Sequence, residues 1–234
     1  MTAIIKRELK AYFASPLGYI FLAGFLIFSG IFFYLCNLIY ATADMSELFS
    51  FLFTLSLLLL PLLTMRLMSE EKKQKTDQLL LTSPVSLTGL VLGKFLAAFL
   101  MFLLGLSITL LYAVILSVYA DPGWASVFGN FLGLSFVGGA IIAIGLFISS
   151  LTESQVVSAI GTYAAVILVL MIDLFSAYIP IDFLSTALGS LSFFQRYSEF
   201  TLGLFNLEHI LFFFSVYAVF IFLTVRILDK KRWK

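Results

Sequence analysis

The sequence predicts an all-α integral membrane protein with six membrane-spanning helices. Three observations support this fold class: 62% of the residues are hydrophobic, only 12% are charged, and the apolar residues occur in long runs. A soluble domain of 234 residues would need far more polar surface than this composition offers. We therefore expect a single transmembrane domain over residues 1–234.

Each spanning helix needs about 20 predominantly apolar residues to cross a bilayer core of about 30 Å. Six stretches meet this requirement: approximately 18–40, 49–68, 95–118, 127–149, 156–178 and 207–228. In the fourth stretch, Gly129 and Gly133 would allow another helix to approach closely. We expect this close contact to form within the chain, with pairing to a second subunit as the alternative.

The distribution of basic residues predicts how the spans are oriented. Six spans place both termini on one side of the membrane, together with the loops at 69–94 and 150–155. All of the 14 Lys and Arg residues except Arg196 lie on that side. Because basic loops are retained in the cytoplasm, the sequence predicts cytoplasmic termini in a multi-pass protein of the cytoplasmic membrane.

The N-terminal segment 1–16 is expected to form an amphipathic helix in the cytoplasmic interface. Its residues Ile5, Leu9 and Tyr12 recur at helical spacing, and basic residues lie between them. Pro16 should end this helix before the first span, because proline disfavours the helical conformation in the preceding residue. An ordinary basic flank of the first span is compatible with the same pattern.

The segment 179–206 differs from the other connections on the outer side. It is too long for a simple connection and too apolar for a solvated loop. The apolar residues at helical spacing are Phe193, Tyr197, Phe200 and Leu204. Arg196 is one of the polar residues expected to face elsewhere. We expect one or two short helices on the outer face, amphipathic or re-entrant; a peripheral lid without a mechanistic role is the alternative.

The most polar stretch between two spans is the segment 69–84. Ser69 can cap a helix, and Glu70 and Glu71 would suit the positive end of that helix. Lys72 and the lysines after it should keep the middle of the segment in solvent. The sequence therefore predicts a short helix on the cytoplasmic side.

The second half of this segment is apolar. Leu79 and Leu80 form an apolar patch, and Pro84 should end the element. Ser86 can cap a new helix that leads into the third span, and Lys94 on that helix should extend to the interface. A short helix with an apolar end and a charged rim fits a groove on a soluble partner. The alternative is a solvated loop that only sets the topology.

Three pieces of this region resemble the signature of type-2 ATP-binding-cassette (ABC) exporter permeases. They are EEK at 70–72, TDQLLLTSPVS at 76–86 and LGK at 92–94. The N-terminal string KRELKAYFASPLGY at 6–19 is similar to the gliding-motility-type branch of that family. Lys75 and Gln78 stand where the family usually has Gly and Glu.

The resemblance implies the permease subunit of an exporter that is driven by a separate cytoplasmic ATPase. Two permease subunits, identical or different, would pair, and each would bind an ATPase that holds ATP and Mg²⁺. The branch also implies an extracytoplasmic auxiliary subunit. Segment 69–84 would be the coupling helix, and 1–16 a second contact. The residues implied at the ATPase interface are Glu70, Glu71, Lys72, Thr76, Leu79, Leu80 and Pro84.

The sequence contains no nucleotide-binding motif. The string GLVLGKF at 89–95 has three residues between its glycines where a phosphate-binding loop has four, and it has Phe95 in place of Ser or Thr. With one cysteine and one histidine, the chain also lacks the residues for a Cys- or His-rich metal site. We expect no catalytic residue, cofactor, metal or nucleic-acid partner for this chain.

Asp173 is the acid that lies deepest inside a predicted span, about 26 Å along the fifth helix. An acid inside the membrane is a candidate for substrate or ion handling. Placement at the outer interface is the alternative.

Other functions are compatible with parts of the sequence. A non-transporting scaffold could recruit a soluble partner through 69–84, and import could replace export. An intramembrane protease fits poorly, because no second buried acid accompanies Asp173 and no Gly-x-Ser-x-Gly motif accompanies His209.

Overall fold

The computed structural model describes residues 2–75, 86–178, 189–203 and 206–232. All regular secondary structure in these ranges is helical. The helices, in chain order, are α1 (Thr2–Ala14), α2 (Pro16–Phe33) with a π-helical extension (Tyr34–Ile39), α3 (Ser46–Thr64), α4 (Ser69–Lys73), α5 (Leu87–Leu106), α6 (Ile108–Ser117), α7 (Trp124–Leu151), α8 (Gln155–Tyr178), α9 (Phe193–Thr201) and α10 (Leu207–Arg232).

Six helical stretches of the described chain are long and apolar enough to cross a membrane, which confirms the predicted membrane fold. In chain order, spans 1 to 6 are Pro16–Ile39, Ser46–Lys73, Leu87–Ser117, Trp124–Leu151, Gln155–Leu174 and Leu207–Lys231. Span 3 begins earlier than the apolar run predicts, because Ser86 caps it: the Ser86 Oγ accepts a hydrogen bond from the Gly89 N–H at 3.2 Å.

Span 4 is the centre of the bundle. It packs against spans 2, 3, 5 and 6 and against α9. In its most apolar stretch 72% of the residues are buried, whereas spans 1 and 5 reach only 22% and span 6 only 17%. Close packing is possible because span 4 has glycines where neighbours approach, among them Gly138 facing Phe102 and Gly145 facing Thr64.

At one end of the bundle α9 packs on span 4. Phe193, Tyr197 and Phe200 are buried, as their spacing predicts. A Cβ atom at Gly133 would lie 2.8 Å from the Cβ atom of Phe200, so the glycine is required for this contact. The small residues of span 4 therefore serve packing within the chain. The prediction that Arg196 faces away is wrong, because its side chain is also buried.

At the other end the N-terminal helix α1 packs on the start of span 3. Tyr12 is buried there, and its hydroxyl donates a hydrogen bond to the Leu63 carbonyl at 3.1 Å. Pro16 occupies the first position of α2, as predicted. We call this end of the bundle, formed by α1, α4, the first two turns of α5 and the last turn of α7, the basic end.

Candidate functional site

Four charged side chains from three separate parts of the chain meet at the basic end. The Lys94 Nζ of span 3 lies 2.9 Å from the Glu71 Oε1 of α4 and 3.2 Å from the Glu8 Oε1 of α1. The Arg7 Nη2 lies 2.6 Å from the Glu8 Oε1 and 2.8 Å from the Glu71 Oε1. We call Arg7, Glu8, Glu71 and Lys94 the ionic cluster; it joins α1, α4 and span 3.

The cluster is buried around Lys94, whose side chain is only 2% exposed. A buried ammonium group is costly unless oppositely charged groups surround it. The two carboxylates supply that environment, and the half-exposed Arg7 balances the second negative charge. The prediction that Lys94 extends to the interface is wrong, because Glu8 and Glu71 bind it inside the protein.

The cluster changes the ionisation of Glu8. Burial alone would raise the pKa of Glu8, but the positive charges of Lys94 and Arg7 and the hydrogen bonds from both outweigh burial. The pKa of Glu8 therefore lies below its ordinary value of 4.5. A carboxyl group with a lowered pKa stabilises the fold above its ordinary pKa, and that stabilisation is lost as the pH falls through the lowered pKa.

We expect acidification to loosen the basic end through Glu8. The melting temperature of the wild-type protein in detergent should fall between about pH 6 and about pH 3, and Glu8→Gln should show a smaller fall over the same range. Glu153→Gln, which changes an exposed glutamate near the same end, is the matched control and should behave like the wild type. Equal pH dependence of Glu8→Gln and the wild type would contradict this assignment.

A second attachment holds α4 on span 4. The Lys72 side chain is buried, and its Nζ donates a hydrogen bond to the Ser150 carbonyl oxygen at the end of span 4. The prediction that Lys72 lies in solvent is therefore wrong. Carbonyl groups in the last turn of a helix lack partners within the helix and suit a cation. Lys72 and Glu71 thus fix α4 to span 4 and to span 3, respectively.

The start of α4 is capped by another part of the chain. The Ser149 Oγ accepts hydrogen bonds from the backbone N–H groups of Met68 and Ser69, at 3.0 and 3.1 Å. Ser69, which the sequence indicates as the cap, instead donates its hydroxyl hydrogen bond to the Met65 carbonyl. That prediction is wrong because the capping oxygen comes from the last turn of span 4.

The remaining acid of α4 lies at the surface. The Glu70 side chain is 35% exposed, and its Oε2 lies 3.3 Å from the Nε of Arg66, one turn earlier. Arg66 in turn donates to the Ser15 Oγ at 2.6 Å, and its guanidinium carbon lies 5.2 Å from the centre of the Tyr12 ring. Arg66 therefore fastens the junction between α1 and span 1 to the end of span 2.

The predicted interface residues thus divide into two groups. Glu71 and Lys72 make contacts within the chain, and Glu70 lies at the rim. Thr76, Leu79, Leu80 and Pro84 lie outside the described residues. Contact of these residues with an ATPase stays a prediction.

Asp173 lies at the opposite end of the bundle from the ionic cluster. Its carboxyl group lies beside the Ser192 hydroxyl and the backbone N–H groups of Phe193 and Phe194. These groups belong to the start of α9, where a negative charge is favourable. Asp173 therefore connects span 5 to α9, and its role in substrate or ion handling stays a prediction.

A buried polar group that the sequence did not reveal also lies at that end. The Arg196 Nη1 lies 2.8 Å from the His209 Nδ1, and the Arg196 Nη2 donates to the Ser190 carbonyl at 2.8 Å. Arginine can only donate, so the His209 Nδ1 accepts, and the His209 Nε2 carries the proton that it shares with Glu199 at 2.6 Å. The hydrogen bond from His209 lowers the pKa of Glu199.

One signal in the sequence points to this group. Arg196 is the basic residue on the side that is otherwise free of Lys and Arg. Such an exception to the charge bias suggests a side chain that the fold requires there. Among the residues that the structure describes, no three His, Cys, Asp or Glu side chains are arranged to hold a metal ion.

One comparison with known proteins found a family. The family model described as "ABC-2 family transporter protein" matches residues 58–232, which is more than half of the chain. The match includes α4, spans 3 to 6 and α9. The search among curated proteins gave no significant match.

Proposed function

This chain belongs to the ABC-2 family of transporter proteins, so it is the membrane permease component of an ABC transporter, and we propose that it is an exporter permease driven by a separate ATPase. The observation that carries the proposal is the attachment of α4 to the bundle. Glu71 binds Lys94 of span 3, and Lys72 binds the end of span 4. A force applied to the segment 69–84 would therefore reach two spans directly.

The ATPase would bind at the basic end. The sequence assigns all of the 14 Lys and Arg residues except Arg196 to the side of the membrane to which this end belongs, and basic loops are retained in the cytoplasm, where ATP is available. ATP and Mg²⁺ would be held by the partner, and the permease would receive the movement of the ATPase through 69–84. Glu70 at the rim of α4 is in a position to contact that partner, with Thr76, Leu79, Leu80 and Pro84 completing the contact surface.

The N-terminal helix supports the same arrangement. It packs on the start of span 3 and contributes Arg7 and Glu8 to the ionic cluster, so it lies beside α4. We propose that it forms the second contact with the ATPase. Its sequence at 6–19 supports membership of the gliding-motility-type branch, in which a second permease subunit and an extracytoplasmic auxiliary subunit would complete the transporter.

We assign Asp173 a positioning role within this permease. Its carboxyl group lies beside Ser192 and the first N–H groups of α9. Holding α9 against the outer ends of the spans is a role that requires no ion pathway.

Purification of the complex tests the proposed function. A tagged chain, isolated from its own membranes in mild detergent, should carry an ABC ATPase in about equal amount, and the complex should hydrolyse ATP. Leu79→Asp and Leu80→Asp should each lower that ATP turnover about tenfold, because a charge would replace an apolar contact at the core of the interface. Leu202→Asp, at an exposed leucine of the opposite end, is the matched control and should leave ATP turnover unchanged.

Two outcomes would overturn the proposal. The first is a chain that purifies without any ATPase, which would favour a non-transporting scaffold. The second is that Leu79→Asp and Leu80→Asp both leave the ATP turnover and the ATPase content of the complex unchanged. Leu202→Asp shows how much a new charge alone damages the complex.

A further inference from the structure

Lys94 occupies an unusual position for a lysine in a membrane-spanning helix. Its Nζ is enclosed by carboxylates from two elements that are far from it in sequence, Glu8 on α1 and Glu71 on α4. Lys94 is the member of the ionic cluster that belongs to span 3. Without it, the cluster would connect only α1 and α4.

Burial makes this connection resistant to displacement. Exposed ion pairs contribute little to stability and rearrange readily in water. If Glu71 moves away, Lys94 and Arg7 share Glu8 alone, and the cluster is left with an unbalanced positive charge in a medium of low dielectric constant, which is unfavourable. Lys94 is 2% exposed, so α4 cannot move away from span 3 without that imbalance. Span 3 must therefore follow α4.

The neighbouring ion pair of α4 lacks this property. Glu70 pairs with Arg66, which precedes it by one turn in the same span, and the Glu70 side chain is 35% exposed. Both residues of this pair belong to span 2, so the pair does not link span 2 to another span. Glu70 and Glu71 are thus adjacent acids of the same helix, and of the two it is Glu71 that bridges to another span.

The packing beyond Lys94 extends the connection. Span 3 contacts span 1 where Gly105 lies against the ring of Phe25. A Cβ atom placed on Gly105 would lie 3.4 Å from that ring. The Phe25 ring also meets the Phe102 ring edge to face, with centroids 6.1 Å apart. Phe25 and Phe102 are completely buried. A displacement of span 3 is therefore transmitted to span 1 by close-packed contacts.

We propose that Lys94 is a positioning residue for energy coupling: its bridge between Glu71 and Glu8 transmits movement of the segment 69–84 to span 3. The inference rests on the proposed function and adds the residue through which the ATPase would act on the spans. Coupling through Lys94 requires the ion pairs of Lys94 with Glu71 and Glu8, and a neutral net charge at the basic end is not sufficient.

Two variants separate the bridge from the charge balance. Lys94→Met combined with Glu71→Gln removes the bridge and leaves Arg7 paired with Glu8, so the cluster stays neutral. Lys94→Arg keeps the positive charge between Glu8 and Glu71, so the cluster stays neutral and the bridge is kept. Glu153→Gln, at an exposed glutamate near the same end, is the single-residue control and is compared with Glu71→Gln.

The measurements are the ATP turnover of the purified complex and its melting temperature. We expect the bridge-deleted variant to fold with a melting temperature near that of the wild type and to lose about tenfold in ATP turnover. Lys94→Arg should keep most of the wild-type turnover, and Glu153→Gln should stay within about twofold of the wild type.

The outcomes distinguish this inference from the proposed function. Equal ATP turnover in the bridge-deleted and bridge-keeping variants would overturn the role of Lys94, as would turnover that simply follows the melting temperature. Absence of an ATPase from the wild-type complex would instead overturn the proposed function.

Discussion

Gly129→Ala should detach α9 from span 4 and lower the free energy of unfolding by about 3 kcal/mol. A Cβ atom at position 129 would fall on the backbone carbonyl oxygen of Phe200, and the next contacts are also backbone atoms, at 3.3 and 3.4 Å. Backbone atoms of a packed helix cannot rotate away as a flexible side chain can. The whole of α9 would have to move, and the buried aromatic rings of α9 would lose their contacts with span 4.

Unfolding of the purified protein in detergent measures this effect. Gly24→Ala is the matched control, because a Cβ atom there meets only the Leu59 side chain at 4.0 Å. That substitution should be neutral or stabilising by up to about 1 kcal/mol, since alanine favours helix more than glycine. Equal free energies of unfolding for Gly129→Ala and Gly24→Ala would contradict the close contact between α9 and span 4.

Arg196→Met should destabilise the protein by about 3 kcal/mol, because the guanidinium satisfies several buried groups at once. It donates to the Ser190 carbonyl through two nitrogens and to the His209 Nδ1, and it stacks 4.3 Å from the centre of the Phe212 ring. Methionine fills similar volume but leaves the carbonyl and the imidazole nitrogen without a donor. The residues before α9 would lose a contact with α9, and α9 would lose a contact with span 6.

The control for this substitution is an arginine of span 6 that lies at the surface. Arg226 has a side chain that is 65% exposed, and its closest carboxylate, on Asp229, lies 4.0 Å away. Arg226→Met should therefore change stability by no more than about 0.5 kcal/mol. A loss at Arg196 no larger than that at Arg226 would show that Arg196 does not hold this end together.

The features that the sequence predicted correctly are those that depend on local pattern. The six spans follow from the length and hydropathy of the apolar runs, which the bilayer constrains strongly. The Ser86 cap and the buried stripe of Phe193, Tyr197 and Phe200 follow from spacing along a single helix. None of these predictions needs knowledge of a distant partner.

The wrong predictions concern side chains whose partners are distant in sequence. The sequence predicts Lys94 at the interface, but its partners are Glu8 and Glu71, on other elements of the chain. It predicts Lys72 in solvent, but the acceptor of Lys72 is the Ser150 carbonyl on span 4. A polar residue next to a membrane has two favourable environments, water and a buried counter-charge, and its own sequence neighbourhood does not distinguish them.

The cap of α4 has a consequence for protein engineering. Because Ser149 of span 4 supplies the oxygen that caps α4, the short helix depends on another part of the chain for its N-terminal cap. A chimera that received only Ser69–Lys73 from this chain would receive the helix without its cap and without the Ser150 carbonyl that Lys72 requires. When segments are exchanged between permeases, the last turn of span 4 should therefore be transferred together with α4, although the two segments are separate in the sequence.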